Sequence, residues 1–167
     1  MSQPVTVRVT RRINVPVDKA FDAWLTPSTA ARFLFATRTG NIMHCDIDPV
    51  VGGGFLVTDR RPVADGDESF YEAQHRGTYV EIDRPHRIVF DFTVDPMHEA
   101  SRVTVDFVSM GVSISEVVLT HELGDGDVAK SNARRTEQGW ARMLELLEKA
   151  LTARSWGITG VLPRPGS

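Results

Sequence analysis

Apolar and polar residues alternate near the start of the chain. Val5, Val7 and Val9 are interleaved with Thr6, Arg8 and Thr10, the two-residue period of a strand with one buried face. The period changes after Pro16, where Val17, Phe21, Trp24 and Leu25 fall at i, i+4, i+7 and i+8, the stripe of a short helix that Pro16 helps to start. Thr26 followed by Pro27 reads as the N-cap and first turn of a second short helix running through Ala31 and Phe33. The strand pattern then returns over residues 42–47, 54–60, 71–83, 87–94, 101–109 and 113–123, broken by "GGG", "VADGDE", "DRPH", "DPMHEA" and "SMG". Connections this short make neighbouring strands antiparallel. From Ser131 to about Arg154, Trp140, Met143, Leu144, Leu147 and Leu151 share one stripe of a long helix, with Arg134, Glu137, Gln138, Glu145 and Lys149 elsewhere on it. The pattern predicts an α+β domain over residues 1–154: a seven-stranded antiparallel sheet covered by the C-terminal helix, with two short helices between strands one and two. The tail 155–167, "SWGITGVLPRPGS", carries too much Gly and Pro to continue that helix, and its apolar Trp156, Ile158, Val161 and Leu162 suit docking back onto the domain, with holding a partner subunit or a loose tail as the alternatives.

Composition narrows the function. At 167 residues with 41% hydrophobic and 25% charged positions, the chain fits one domain with a sizeable core. No apolar run approaches the ~20 residues of a spanning helix, and the N-terminus has no apolar signal core, so the expectation is a cytoplasmic protein without membrane insertion. Cys45 is the only cysteine, which excludes an internal disulfide and a thiolate-rich metal site. A net charge of −3 argues against a general nucleic-acid binder. A small molecule or a protein remains as partner, for a monomer or a homodimer.

The three glycines of "DPVVGGGFLVTD" raise the question of a phosphate loop. A Walker-type loop needs Lys-Ser or Lys-Thr after the glycines and then a helix, whereas Phe55, Leu56, Val57 and Thr58 follow here. An oxyanion loop of the HGGG type needs a preceding histidine and a Gly-x-Ser-x-Gly elsewhere, and neither is present. The glycines therefore mark a strand-to-strand corner in a strongly bent sheet.

Strand alternation places a few polar side chains in phase with apolar ones. Arg11 continues the phase of Val5, Val7 and Val9; Gln74 and Arg76 share that of Val80 and Ile82; His121 shares that of Val117 and Leu119. An inward Arg11 or Arg76 needs a carboxylate, carbonyl groups, water or an anionic ligand; the alternative is a bulge that shifts the phase, or a side chain that reaches the rim. His121 within a cavity suits a general base or a ligand-orienting group, and equally a histidine satisfied by the helix or a neighbouring strand. "THELG" lacks the second histidine of a zinc helix, and His44, His75, His86 and His98 have no ligand spacing, so no metal and no cofactor is expected. Candidate cavity walls are Phe55, Val57, Ile88, Phe90, Phe92, Val103, Val105 and Phe107 from the strands, with Trp24, Trp140, Met143, Leu144 and Leu147 from the helices. The acidic stretch from Ala64 to Ser69 reads as a hairpin tip.

The motifs "RRINVPVDKAFDAW", "DPVVGGGF", "GTYVEIDRPHRIVFDF", "SRVTVDF", "VVLTHEL" and "GWARMLELLEKAL" occur in that order between Val5 and about Leu151. Together they resemble the heat-shock protein 90 ATPase activator homologue family, within the START-like or SRPBCC helix-grip superfamily. Phe33 stands where these sequences often have Trp, and the tail has no counterpart in the pattern. The resemblance implies a curved sheet gripping the C-terminal helix, with a cavity between them in which relatives bind lipids, polyketides, hormones or other apolar molecules. Chaperone activation belongs to eukaryotic members with an additional N-terminal domain, for which this length leaves no room. The leading expectation is therefore binding of a small hydrophobic or amphipathic ligand by residues drawn from Arg11, Trp24, Phe55, Arg76, Phe90, Phe92, Val105, Phe107, His121, Trp140, Met143, Leu144 and Leu147. One alternative is a cyclase-, dehydratase- or hydrolase-like enzyme with His121 as acid or base and Arg76 or Arg11 facing developing negative charge. Another is a protein-interaction or stress-response module acting through the tail or the outer sheet face.

Overall fold

The computed structural model describes residues 4–36, 41–62, 70–95 and 100–161, and their side chains up to residue 152 apart from those of residues 62, 70 and 95. Strand β1 (Val5–Ile13) leads into helices α1 (Val17–Ala23) and α2 (Pro27–Ala30). Strands β2 (Asn41–Ile47), β3 (Gly54–Pro62), β4 (Phe70–Asp83), β5 (Arg87–Asp95), β6 (Ser101–Gly111) and β7 (Ile114–Gly124) follow, then helix α3 (Asp127–Val161). The seven strands form one sheet in the order β1-β7-β6-β5-β4-β3-β2, antiparallel throughout. Each strand from β2 to β6 pairs with its successor, and β1 closes onto β7, so β1 and β2 are the two edges. The curved sheet holds α3 against one face, the helix-grip arrangement.

The core lies where the period-two faces of the strands meet the helical stripe. Leu144 and Leu147 of α3 are fully buried, with Trp140 nearly so, among Phe90, Val103, Val105, Phe107, Val117 and Leu119 from the sheet. The short helices close one end: Phe21 and Trp24 pack edge-on against Phe107, and Phe33 packs edge-on against Trp24. Thr26 occupies the N-cap position of α2, but its hydroxyl donates to the Asp22 carbonyl at 2.8 Å rather than to an amide of the new helix. It thereby ties the end of α1 to the start of α2.

Both ends of α3 differ from the sequence expectation. The helix begins at Asp127, ahead of Ser131, because Gly124 (φ 86°) and Gly126 (φ 98°) adopt left-handed conformations that turn the chain out of β7. Asp127 then places a carboxylate in the first turn, where the helix dipole favours it. At the other end α3 continues to Val161, through Gly157 and Gly160. An isolated glycine costs a helix about 1 kcal/mol without ending it, whereas proline removes a hydrogen bond and clashes with the preceding turn; the first proline after α3 starts is Pro163. The expected docking of the tail's apolar side chains, and the hairpin tip from Ala64 to Ser69, lie outside the described residues.

The glycine corner is a closed turn. Gly52 has φ 89°, its amide donates to the Tyr79 carbonyl at 2.9 Å, and the Gly53 amide donates to the Val50 carbonyl at 2.8 Å. Both donors that a phosphate would need are thus used within the fold. Gly77 explains the fit on β4, since a Cβ there would stand 2.1 Å from the Phe55 ring.

Of the two arginines in phase with apolar neighbours, the structure corrects Arg76 and keeps Arg11 on the buried face, where it meets a carboxylate. On β4 the buried positions are Ala73, His75 and Tyr79, while Arg76 is exposed on the outer face and donates to Gln74 at 2.7 Å. The pairing with β5 shifts between Tyr79 and Glu81, so Val80 is an extra residue that inverts the alternation, and a phase carried back from Ile82 puts Arg76 on the wrong side. Arg11 does share the buried face of β1, but it reaches Glu148 of α3, with Nε and its terminal nitrogen 2.8 and 2.7 Å from Oε1. It fastens the edge strand to the helix.

The partly exposed Arg11–Glu148 pair is worth at most about 1 kcal/mol, whereas truncating a fully buried leucine costs about 2–5 kcal/mol. Urea denaturation should accordingly show a small loss for Arg11→Gln and a large one for Leu147→Ala. A loss for Arg11→Gln as large as that for Leu147→Ala would contradict this assignment.

Candidate functional site

Two cavities lie between the buried face of the sheet and α3. The larger, about 480 Å³, is lined by Phe35, Ala36, Arg61 of β3, His75 of β4, and Arg135, Gly139, Arg142 and Met143 of α3. The smaller, about 260 Å³, lies between Phe92, Ser101 and His121 of β5 to β7 and Asn132, Arg135 and Thr136 of α3. Arg135 borders both, and the stacked rings of Phe35 and Phe92 give one face to each.

Phe35 reaches this position from the segment after α2. Its φ of 59° is left-handed, a region that bulky side chains rarely adopt. The conformation is held from several sides. The ring stacks on His75 at 4.2 Å and on Phe92 at 5.0 Å, meets Trp140 edge-on at 5.7 Å, and the Phe35 amide points at the Met143 sulfur, 3.3 Å away.

Buried polar groups connect the sheet to the helix. The indole N–H of Trp140 donates to His121 Nδ1 at 3.0 Å, and His121 Nε2 lies 2.7 Å from Ser101 Oγ. Indole nitrogen only donates, so Nδ1 must be the acceptor and Nε2 must carry the proton, which it gives to Ser101. Burial pushes the His121 pKa down to about 4, keeping the ring neutral near pH 7. With its lone pair on Trp140 and its proton on Ser101, His121 has no free nitrogen for general-base work and cannot take a proton from the Ser101 hydroxyl. The candidate catalytic role of His121 is therefore not supplied by this geometry.

His75 has the opposite tautomer. Nδ1 lies 3.2 Å from the Val57 carbonyl and must donate to it, leaving the lone pair on Nε2, which has no hydrogen-bond partner among the described residues. Burial lowers the His75 pKa to about 4, partly offset by that hydrogen bond. A neutral ring with an acceptor nitrogen thus borders the larger cavity.

Three guanidinium groups line the same cavity. Arg61 donates from Nε to Asp59 Oδ2, a carboxylate fully buried in β3. Arg142 lies 3.5 Å from the exposed Glu145, and Arg135 pairs with no carboxylate among the described residues. Among the described residues no carboxylate belongs to the lining of either cavity.

Of the residues singled out in the sequence, Phe92, His121 and Met143 line these two cavities. Trp24, Phe55 and Phe90 instead border a void of about 10 Å³, too small for a ligand, and Trp140, Val105, Phe107, Leu144 and Leu147 fill the core. Arg76 and Phe55 also border an open groove of about 670 Å³ along β2 to β4, apart from α3. Cys45 borders that groove too, its thiol pushed up to about 11 by burial and by Asp46, which keeps it protonated. Among the described residues no group of histidine, cysteine and carboxylate side chains is placed to hold a metal, and no helix is long and apolar enough to cross a membrane. Sequence reasoning missed Phe35, Arg61, His75, Arg135, Gly139 and Arg142. The spacing 135, 139, 142, one helical face beside the apolar stripe, was the available signal.

Both buried histidines have folded pKa values near 4 against 6.5 unfolded, so the unfolded chain binds more protons between those limits. Stability is complete above pH 6.5 and falls as pH drops toward 4, each histidine removing up to about 1.4 kcal/mol per unit. Urea midpoints between pH 7 and 5 should fall steeply for the wild type and less so for His75→Gln with His121→Gln; an unchanged slope in that double variant would count against these assignments.

The model of the family described as "Activator of Hsp90 ATPase homolog 1-like protein" matches residues 14–152. Among solved structures, a Chromobacterium violaceum protein is similar with a TM-score of 0.72 and 20% identity, over 87% of this chain and 96% of that one. An AHSA1-like protein from Aeromonas hydrophila gives a TM-score of 0.69 and 21% identity, over 90% and 94% of the two chains. A protein of the dynemicin biosynthetic locus gives 0.63 and 16%, over 87% of this chain but 46% of its own. Likeness at such identities concerns the fold. A comparison with curated proteins found no match. Matched by the family model over most of its length, and sharing the fold of solved AHSA1-like proteins, the chain belongs to the Activator of Hsp90 ATPase homolog 1-like family.

Proposed function

We infer that the chain binds a small amphipathic molecule between the sheet and α3, in the larger cavity. The observation that carries this reading is Gly139. A glycine inside a helix costs about 0.5–1 kcal/mol relative to alanine, and a Cβ built at position 139 meets nothing within 4 Å. Packing does not require the missing side chain, so position 139 stays empty at a cost in stability and leaves room in the cavity that it lines. The neighbouring surfaces differ in character: Phe35 and Met143 are apolar, while Arg61, Arg135 and Arg142 are cationic. A volume of about 480 Å³ is within the range of small-molecule sites. The helix-grip fold, in which relatives hold apolar molecules between sheet and helix, supports the same reading. A catalytic version would have to run through His75, whose Nε2 is the acceptor nitrogen bordering this cavity.

The test is to fill the space. Gly139→Ala should raise stability by about 0.5–1 kcal/mol, and Gly139→Leu should remain folded by circular dichroism while losing about tenfold or more in affinity for the solvatochromic dye Nile red. Undiminished dye binding by folded Gly139→Leu would place the ligand elsewhere.

A further inference from the structure

We propose that the occupant of the larger cavity is a monocarboxylate amphiphile, its acid group held by Arg135 and Arg142 and its apolar body laid on Phe35 and Met143. This rests on the reading of that cavity as a ligand site and adds the chemical class of the ligand. Positions 135, 139 and 142 are spaced i, i+4 and i+7, so the two guanidinium groups stand on one face of α3 on either side of the gap that Gly139 leaves. Among the described residues their charge is not spent. Arg142 makes a 3.5 Å contact to Glu145 with both side chains nearly half exposed, an arrangement a better acceptor readily replaces. Arg135 has no carboxylate partner among the described residues.

The opposite wall does not compensate them. Asp59 is the carboxylate behind that wall; it is fully buried and held by Arg61, which itself borders the cavity. His75 adds no charge near neutral pH. Among the described residues, three guanidinium groups against the carboxylates of Asp59 and Glu145 leave one positive charge in excess, which matches one anion. Guanidinium is suited to the task, because its planar fork meets a carboxylate with two parallel hydrogen bonds. Phe35 and Met143 then provide a flat ring and a polarisable thioether for the apolar part.

Matched probes separate the charge from the apolar body. Decanoate against decanol, and 2-naphthoate against 2-naphthol, are titrated calorimetrically into the full chain at neutral pH. The acid of at least one pair should bind about tenfold or more tightly than its alcohol, and Arg135→Gln with Arg142→Gln should reduce that preference below about threefold while leaving alcohol binding in place. Equal binding of acid and alcohol to the wild type overturns the carboxylate assignment and leaves the cavity reading standing. A preference that survives in the folded double variant also overturns it, since the charge then acts elsewhere. Failure of all four probes to bind overturns both.

Discussion

The bond from the Trp140 indole to His121 fixes how α3 lies on the sheet. Leucines at 144 and 147 would accept several rotations of the helix at little cost, because apolar contact is not directional. A buried indole N–H is different: left without an acceptor it costs about 1–3 kcal/mol, and His121 Nδ1 provides that acceptor 3.0 Å away. His121 is in turn set by Ser101, so one hydrogen-bonded line runs from β6 through β7 into α3. Neutrality of the imidazole is a condition of that line. A protonated ring would present a second donor to the indole, which is why low pH attacks the docking of the helix as well as the charge balance.

With the helix so oriented, the side of α3 next to the apolar stripe faces the gap between sheet and helix. Position 140 is pinned, and positions 135, 139 and 142 border the space beside it. The sheet does not fill that space, because Phe35 and Phe92 stack against each other and leave volume on both sides. Phe35 accepts a left-handed backbone to do so, a strain balanced by ring contacts to His75, Phe92 and Trp140. The same residue that divides the cavities therefore also depends on the docking of Trp140.

The sequence made visible whatever repeats with a period. Alternating valines and phenylalanines gave the strands, and the 3.6-residue stripe gave the buried face of α3, so the fold and most of the core could be read directly. Errors arose where one residue breaks the count. Val80 is such a residue, and carrying the phase across it exchanged His75 for Arg76. Arg11 was placed on the correct face, yet its partner Glu148 is brought to it by the closure of β1 onto the helix, which no local pattern announces. Phe35 belongs to no repeat at all. Tautomers are equally invisible in a sequence: His75 and His121 look alike there, and only their partners show that one keeps a lone pair toward the cavity while the other has spent it.

The arrangement divides polar work between two kinds of group. His75 and His121 are buried, neutral and used for hydrogen bonds that hold the frame, while the cavity's permanent charge sits on arginines at the border, where a guanidinium need not lose all its water. A charge placed where His121 stands would incur the full desolvation cost on every folded molecule. Arg135 is exposed and costs the empty protein little, yet a ligand covering the opening as proposed would partly desolvate it and so strengthen its interaction with an anion. In the proposed site, charge at the rim over an apolar floor would favour an amphiphile, with the arginines of α3 left at the solvent border in its absence. On that proposal, ligand class would be set at positions 135, 139 and 142, apart from the frame that Trp140, His121 and Ser101 hold.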